Sequence, residues 1–294
     1  MRKGKICLVI SAILYGILPV LTAISYRGGI NGVTLTFLRS VISLPVLYAI
    51  IRADKRNLRL DRNQIKKVII LGVFGGTMPI LLLYISYHYI ATGLASTLHF
   101  IYPLLVVISS AVIYREKLSR ITLSAVMFVT VGVFMFADIG TTSDITGIVL
   151  AILSGIFYSF YVVYIDRSGL DRMDYVVLTF YMMLIMSASM LIFGAAMRSL
   201  YFDISPLSWS FSAVISLIVT LGAMPLFQLG VRYEGAQEAG ILSTLEPVTS
   251  VILGSLVLGE FIGPGQLMGG AMILLGVLLA QKKKVAPLLG ESIH

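Results

Sequence analysis

Apolar residues run along this chain in blocks of about twenty, separated by short polar or basic stretches. A helix rises ~1.5 Å per residue, so about twenty apolar residues cross the hydrocarbon core of a bilayer. The blocks predict spans at roughly 5–25, 32–51, 68–88, 92–114, 120–137, 145–165, 175–197, 209–230, 236–258 and 264–280. Two joints are tight, at Tyr89–Ala91 and Tyr233–Gly235, where consecutive spans nearly touch. The longest predicted loop runs from Arg52 to Lys67, too short for a soluble domain. The first block is longer than a signal-peptide core and lacks a small-x-small cleavage site, so it reads as a retained helix. The end, 285–294, follows the last apolar block and is expected to be a disordered tail.

Composition agrees with the pattern. Hydrophobic residues make up 58% of the chain and charged residues 12%, about half the charge of an ordinary soluble domain. A net charge of +8 could suggest a nucleic-acid partner, but the basic residues cluster between apolar blocks, which excludes that reading. With a cytoplasmic N-terminus, all 22 Lys and Arg fall on the inner side except Arg27, Arg198 and the in-span Arg39. That one-sided bias predicts a multi-pass protein of a bacterial-type cytoplasmic membrane with both termini cytoplasmic. The single cysteine, Cys7, excludes an internal disulfide, and no metal-ligand cluster, Walker A loop or hydrolase motif is present, so no metal, cofactor or ATP is expected.

The two halves repeat at an offset of 143 to 146. Ser11-Ala-Ile-Leu-Tyr15 matches Ser154-Gly-Ile-Phe-Tyr158, and Gly76-Thr-Met-Pro79 matches Gly222-Ala-Met-Pro225. Tyr102-Pro103 matches Glu246-Pro247, and Gly132-Val133 matches Gly276-Val277. Five spans per repeat is an odd number, so the second repeat must insert upside down. The expected fold is an all-α membrane protein of ten transmembrane helices in two inverted five-helix repeats, residues 1–140 and 141–284. Inverted repeats about a midplane site are the frame of many secondary transporters.

The run Ala95-Ser96, Pro103, Arg115-Glu116-Lys-Leu-Ser119 and Gly132-Val133, with its twin Glu246-Pro247, Gly259-Glu260 and Gly276-Val277, resembles the end of an EamA-type repeat. EamA-type proteins belong to the drug/metabolite transporter superfamily. The resemblance implies a ten-helix bundle moving amino acids, other metabolites or drugs. The first half departs from the pattern in having Tyr102 where Glu is expected.

Charges near the bilayer centre cost several kcal/mol unless paired or wet, so they are candidates for function. Glu246, beside the helix-disturbing Pro247, could exchange a proton, bind a cationic group or simply bond a neighbouring helix. Arg39 could bind a carboxylate, neutralise Glu246 or serve packing. His99 and Tyr102 share one face of span four, as Ser243 and Glu246 do on span nine, and both faces are expected to line one central cavity. His99 is the second proton-coupling candidate. Mid-span Tyr15, Tyr84, Tyr158 and Tyr181, with Gln228, complete the candidate substrate wall and suit aromatic or cationic solutes. Pro79, Pro103, Pro225 and Pro247 are candidate hinges. Glu116 and Glu260 read as helix-end caps.

The leading functional reading is a secondary transporter that exports a small organic solute by alternating access, either coupled to protons or as an exchanger driven by a solute gradient. A passive facilitator and, less favoured, a lipid-modifying membrane enzyme are the alternatives. The sequence is compatible with a monomer or a homodimer.

Overall fold

A computed structural model of the chain describes residues 3–90, 92–115, 118–135, 144–259 and 261–282. The predicted tail, Glu116 and Glu260 lie outside the described residues. Every regular element among the described residues is helical. Seven helical runs are long and apolar enough to cross a membrane, and three shorter apolar helices accompany them. One run, Pro206–Ser243, has 38 residues, about 57 Å of helix and nearly twice a ~30 Å hydrocarbon core. It is two spans, divided at Gly235, whose φ of 81° is left-handed backbone that favours glycine.

Ten spans result. They are α1 (Lys3–Tyr26), α2 (Gly32–Ala53), α3 (Arg62–Ser86), α4 (Thr92–His99 and Tyr102–Val112) and α5 (Arg120–Phe134), then α6 (Ile145–Ser168), α7 (Tyr175–Ala196), α8 (206–234), α9 (236–243 and Leu245–Leu258) and α10 (Pro264–Lys282). Two spans start three or more residues earlier than their apolar blocks predict. Asp61 and Gln64 form a capping box that begins α3 at Arg62, not 68. Ser205 caps α8 and Pro206 occupies its first turn, so α8 begins three residues before 209. Polar residues that bond the first free N–H groups extend a helix beyond its apolar stretch. The α2–α3 connection shortens accordingly, and Arg56 pins it by reaching Asp54 at 2.8 Å and Asp174, the cap of α7, at 2.6 Å.

The packing partners repeat between the halves. Helix α1 packs on α8 and α9, and its counterpart α6 packs on α3 and α4. Likewise α2 packs on α8 and α7 on α3, while the pairs α2–α7 and α5–α10 are their own counterparts.

Prolines interrupt this frame at matched places. A proline ring collides with the carbonyl four residues back and supplies no N–H. Ahead of Pro79 and Pro225, α3 and α8 widen to π-helix over Leu71–Thr77 and Ile218–Ala223. Carbonyls beside these π turns are taken up by the opposite half. Ser154 donates to the Pro79 carbonyl at 2.6 Å, and Ser11 donates to the Ala223 carbonyl at 2.7 Å. The two serines are the repeat-matched pair of the sequence. Pro103 and Pro247 instead lie in the first turns of the second pieces of α4 and α9, where a missing N–H costs nothing.

Glycines set the closest approach. A Cβ on Gly132 would stand 2.7 Å from the Gly269 carbonyl, and one on Gly276 would stand 2.7 Å from the Ala125 carbonyl. These contacts exchange under the repeat offset of 144, so α5 and α10 meet about a local two-fold. Gly132→Val and Gly276→Val are each expected to destabilise the protein by about 1–3 kcal/mol through overpacking. Thermal unfolding in detergent reads this, with Gly263→Ala, where a Cβ meets open space, as the silent control.

Candidate functional site

A cavity of about 640 Å³ lies within the bundle. It draws on the C-terminal halves of α1 and α3, the N-terminal half of α2, the first piece of α4, the start of α10 and the middle of α9. Those segments all point to the end of the bundle that carries the α1–α2 turn, opposite the end where α1 begins and α10 finishes. Tyr15, Arg39 and Glu246 form its inner part, and Tyr26, Tyr84 and Tyr87 stand towards its mouth.

Each of the three inner residues is presented by a local irregularity or a close helix contact. Gly16 lets α1 lie against the Glu246 carbonyl and Thr249 of α9, which sets Tyr15 beside the carboxylate. Glu246 sits in the first turn after the break at Thr244, with Pro247 next to it. Arg39 is carried by α2, and the Ser216 hydroxyl of α8 donates to its backbone carbonyl at 2.8 Å. Arg39 and Glu246 are the two charged side chains of the wall. They do not pair: the Arg39 Nε is buried and has no hydrogen-bond partner among the described residues. Tyr15 lies within electrostatic reach of both charges, as Tyr102 and Tyr158 do of Glu246.

The sequence candidates thus divide. Tyr15, Arg39, Tyr84, Glu246 and Pro247 line the cavity together. Tyr102 and Tyr158 lie just beneath it, their rings 4.5 Å apart edge to face, with Tyr102 fully buried. Tyr102 does not form the opposite wall; its hydroxyl is next to Ser243. Ser243 uses its own proton on the Ala239 carbonyl of its helix, at 2.7 Å.

His99 is also held below the cavity. Its Nδ1 lies 2.8 Å from the Ser154 hydroxyl, whose proton is already given to Pro79. Ser154 can only accept there, so Nδ1 carries the hydrogen and Nε2 is left as the acceptor. The ring packs against Tyr158 and Tyr102. Gln228 stands deeper, buried, its carboxamide 3.4 Å from the Thr179 hydroxyl, whose proton goes to the Tyr175 carbonyl at 2.7 Å.

Tyr181 is apart from all of these. Its hydroxyl donates to the Leu58 carbonyl at 2.7 Å and ties α7 to the α2–α3 connection. Pro79, Pro103 and Pro225 act on backbone geometry outside the wall. Tyr26, Tyr87 and Ser96 are wall residues that the apolar pattern concealed. The Tyr87 hydroxyl and Ser96 Oγ are 3.3 Å apart, and the rings of Tyr84 in α3 and Tyr87 just past its end lie 5.8 Å apart. Their i, i+3 spacing is the signal that could have found Tyr87 beside Tyr84.

Beyond this level the bundle is closed. Tyr161 stacks on Phe227 at 5.8 Å, and Lys5 reaches Glu238 at 3.8 Å near the start of α1. Removing the Tyr181 hydroxyl, by Tyr181→Phe, is expected to lower stability by about 1 kcal/mol, the usual net worth of one hydrogen bond, and to leave solute affinity unchanged. Thermal unfolding with and without solute separates the two effects.

The family described as EamA-like transporter matches the chain twice, over residues 2–137 and 145–281. An uncharacterized transporter of Synechocystis sp. is 25% identical over 88% of this chain and 82% of its own length. Two uncharacterized transporters of Archaeoglobus fulgidus are 26% and 27% identical, each over 96% of this chain and nearly all of their own. A solved structure, described as "Crystal structure of protein", shares the fold with a TM-score of 0.79 at 17% identity, over 95% of this chain and 97% of that one.

Proposed function

The chain belongs to the EamA-like transporter family, and from that premise we propose that it is a secondary active transporter of a small, amphipathic solute carrying a carboxylate, an amine or both. The observation that carries this reading is the pair Arg39 and Glu246, opposite charges left unpaired in one cavity walled by Tyr15, Tyr26, Tyr84 and Tyr87. Two unpaired charges in a membrane protein are costly unless a ligand or water completes them. A solute carboxylate fits the Arg39 guanidinium, an ammonium fits Glu246, and an apolar side chain fits the tyrosine rings. A volume of about 640 Å³ suits a metabolite of amino-acid to drug size.

In this proposal residues 1–140 and 141–284 are inverted repeats, and the matched packing of α1 and α6 supports that arrangement. The basic inner segments set both termini in the cytoplasm. The cavity then faces the outside, and the closed half below Tyr158 separates it from the cytoplasm. A closed half argues for alternating access over an open, channel-like facilitator. Glu246 is the proton carrier: it has no cationic partner among the described residues, and a carboxylate in such a site can alternate between proton and solute. His99 keeps its Nδ1 on Ser154 and serves as a positioning residue. Transport, with net export driven by the proton gradient, is the activity, and no covalent chemistry is part of it.

Two variants test this in proteoliposomes. Arg39→Met is expected to weaken binding of a carboxylate-bearing amino acid about ten- to hundredfold, since a charge-assisted hydrogen bond contributes about 1.5–3 kcal/mol. The corresponding decarboxylated amine should bind as before. Glu246→Gln is expected to remove the pH dependence of flux while leaving the fold intact. Unaltered proton-driven flux in Glu246→Gln would remove that residue from coupling, and equal losses for acid and amine in Arg39→Met would remove the carboxylate contact.

A further inference from the structure

The connection between α2 and α3 carries more positive charge than the chain neutralises. Arg52, Lys55, Arg59, Arg62 and Lys66 are all exposed, and none forms an ion pair with an acid among the described residues. The two acids of the same stretch are already engaged. Asp54 accepts from Arg56, and Asp61 accepts from the Gln64 N–H as the cap of α3. The segment is also fixed, so the bases cannot simply spread apart. The Tyr181 hydroxyl holds the Leu58 carbonyl at 2.7 Å, Lys67 donates to the Ser168 carbonyl at 2.6 Å, and Leu58 and Leu60 pack on the core. Like charges held close together repel, and a counter-charge from outside the chain relieves them.

The apolar neighbours of these bases identify that counter-charge. Arg62, Ile65, Lys66 and Ile69 are spaced i, i+3, i+4 and i+7, so they share one face of α3. That face is turned outward: Ile65 is 44% exposed and Ile69 48%, whereas Val68, turned inward, is 1% exposed. Basic and apolar side chains alternate along it over about 10 Å of helix. Water alone does not suit Ile65, and hydrocarbon alone does not suit Lys66. The headgroup layer of a membrane suits both, because the charged ends meet phosphate while the isoleucines meet acyl chain. Helix α2 ends in the same manner, with the exposed Tyr48 one turn before Arg52. A soluble anion accounts for the bases but leaves the exposed isoleucines unexplained.

We propose that the first two turns of α3, together with the bases of the α2–α3 connection, form a binding surface for an anionic phospholipid of the leaflet at the end where α1 begins. Arg62 and Lys66 take the phosphodiester, and Ile65 and Ile69 take the upper part of the acyl chains. The lipid supplies the missing counter-charge and anchors the connection, which Arg56 and Tyr181 tie to α7. The inference goes beyond the transport reading and does not depend on which solute is carried.

Thermal unfolding of the full chain in detergent tests it. The protein is titrated with phosphatidylglycerol, with phosphatidylcholine of the same acyl chains, and with inorganic phosphate. A ligand that binds the folded state raises the unfolding temperature as its concentration passes the dissociation constant. Phosphatidylglycerol is expected to give a saturable rise and the other two none. Arg62→Gln/Lys66→Gln is expected to weaken phosphatidylglycerol binding about tenfold or more, since each base near a membrane surface contributes about fivefold. Arg115→Gln/Arg120→Gln, the same change of charge at the same end of the bundle, is expected to leave it unchanged. All four residues are exposed, and each variant is compared with its own lipid-free unfolding. Ile65→Gln, which keeps every base, is expected to weaken phosphatidylglycerol binding about threefold through lost apolar contact. Equal weakening in the two double variants would reduce the site to the general basicity of that end and overturn it. An equal rise with phosphatidylcholine would remove charge from the recognition. An equal rise with inorganic phosphate, or undiminished binding in Ile65→Gln, would replace the lipid by a soluble anion, and each of these results sinks the proposal.

Discussion

Backbone polar groups inside a bilayer have no water to turn to, and the rest of this structure follows from how they are satisfied. Straight helices solve the problem within themselves. A proline does not, because it removes a donor and pushes the preceding carbonyls aside. Here two carbonyls beside the π turns of α3 and α8 accept a further hydrogen bond from the other half of the molecule, Pro79 from Ser154 and Ala223 from Ser11. Each π segment is thereby tied to the opposite half by one hydrogen bond. The same hydroxyl of Ser154 orients His99, so backbone repair and the placement of side chains under the cavity are parts of one hydrogen-bond chain.

Much of this was legible from the sequence. Ten apolar blocks fixed the number of crossings, and hydropathy needs only burial in lipid to be informative. The repeat of Ser11 and Ser154 was visible as residues, but its meaning required knowing that each reaches across to the other half's proline kink. Helix starts at Arg62 and Pro206 escaped because capping chemistry, at Asp61–Gln64 and Ser205, operates outside the apolar window. Of the candidate side chains, Arg39 and Glu246 were exposed by the cost of charge in a membrane, and they do share one cavity. Tyrosines were harder. Tyr15 and Tyr84 face the cavity while Tyr181 anchors a loop, and nothing local distinguishes a hydroxyl that meets solvent from one that meets a carbonyl.

Close packing and openness are divided unevenly between the ends of the bundle. Where α1 begins, Lys5, Glu238, Tyr161 and Phe227 fill the space between helices. Where α1 ends, tyrosine rings stand apart around a half-open cavity. Two halves with matched packing partners could have produced a bundle alike at both ends. They do not, so the sequence satisfies one frame in two ways at once, open in one half and shut in the other. Interiors at crystal-like density do not deform gradually, which favours discrete states over a continuum between them.

At the two charged residues of the cavity wall the repeats disagree. Gly132 and Gly276, Ser11 and Ser154, and Pro79 and Pro225 are kept alike, and each serves packing or backbone repair. Arg39 faces Met182 across the repeat, and Glu246 faces Tyr102. A frame that must close the same way on both sides constrains its glycines, serines and prolines in pairs. A ligand site at the midplane has no such obligation, because one guanidinium and one carboxylate suffice for one solute. A second pair of charges in the packed half would be buried without water, at a cost of several kcal/mol. An asymmetry of charge on a frame with paired packing is therefore what the proposed site for one solute requires.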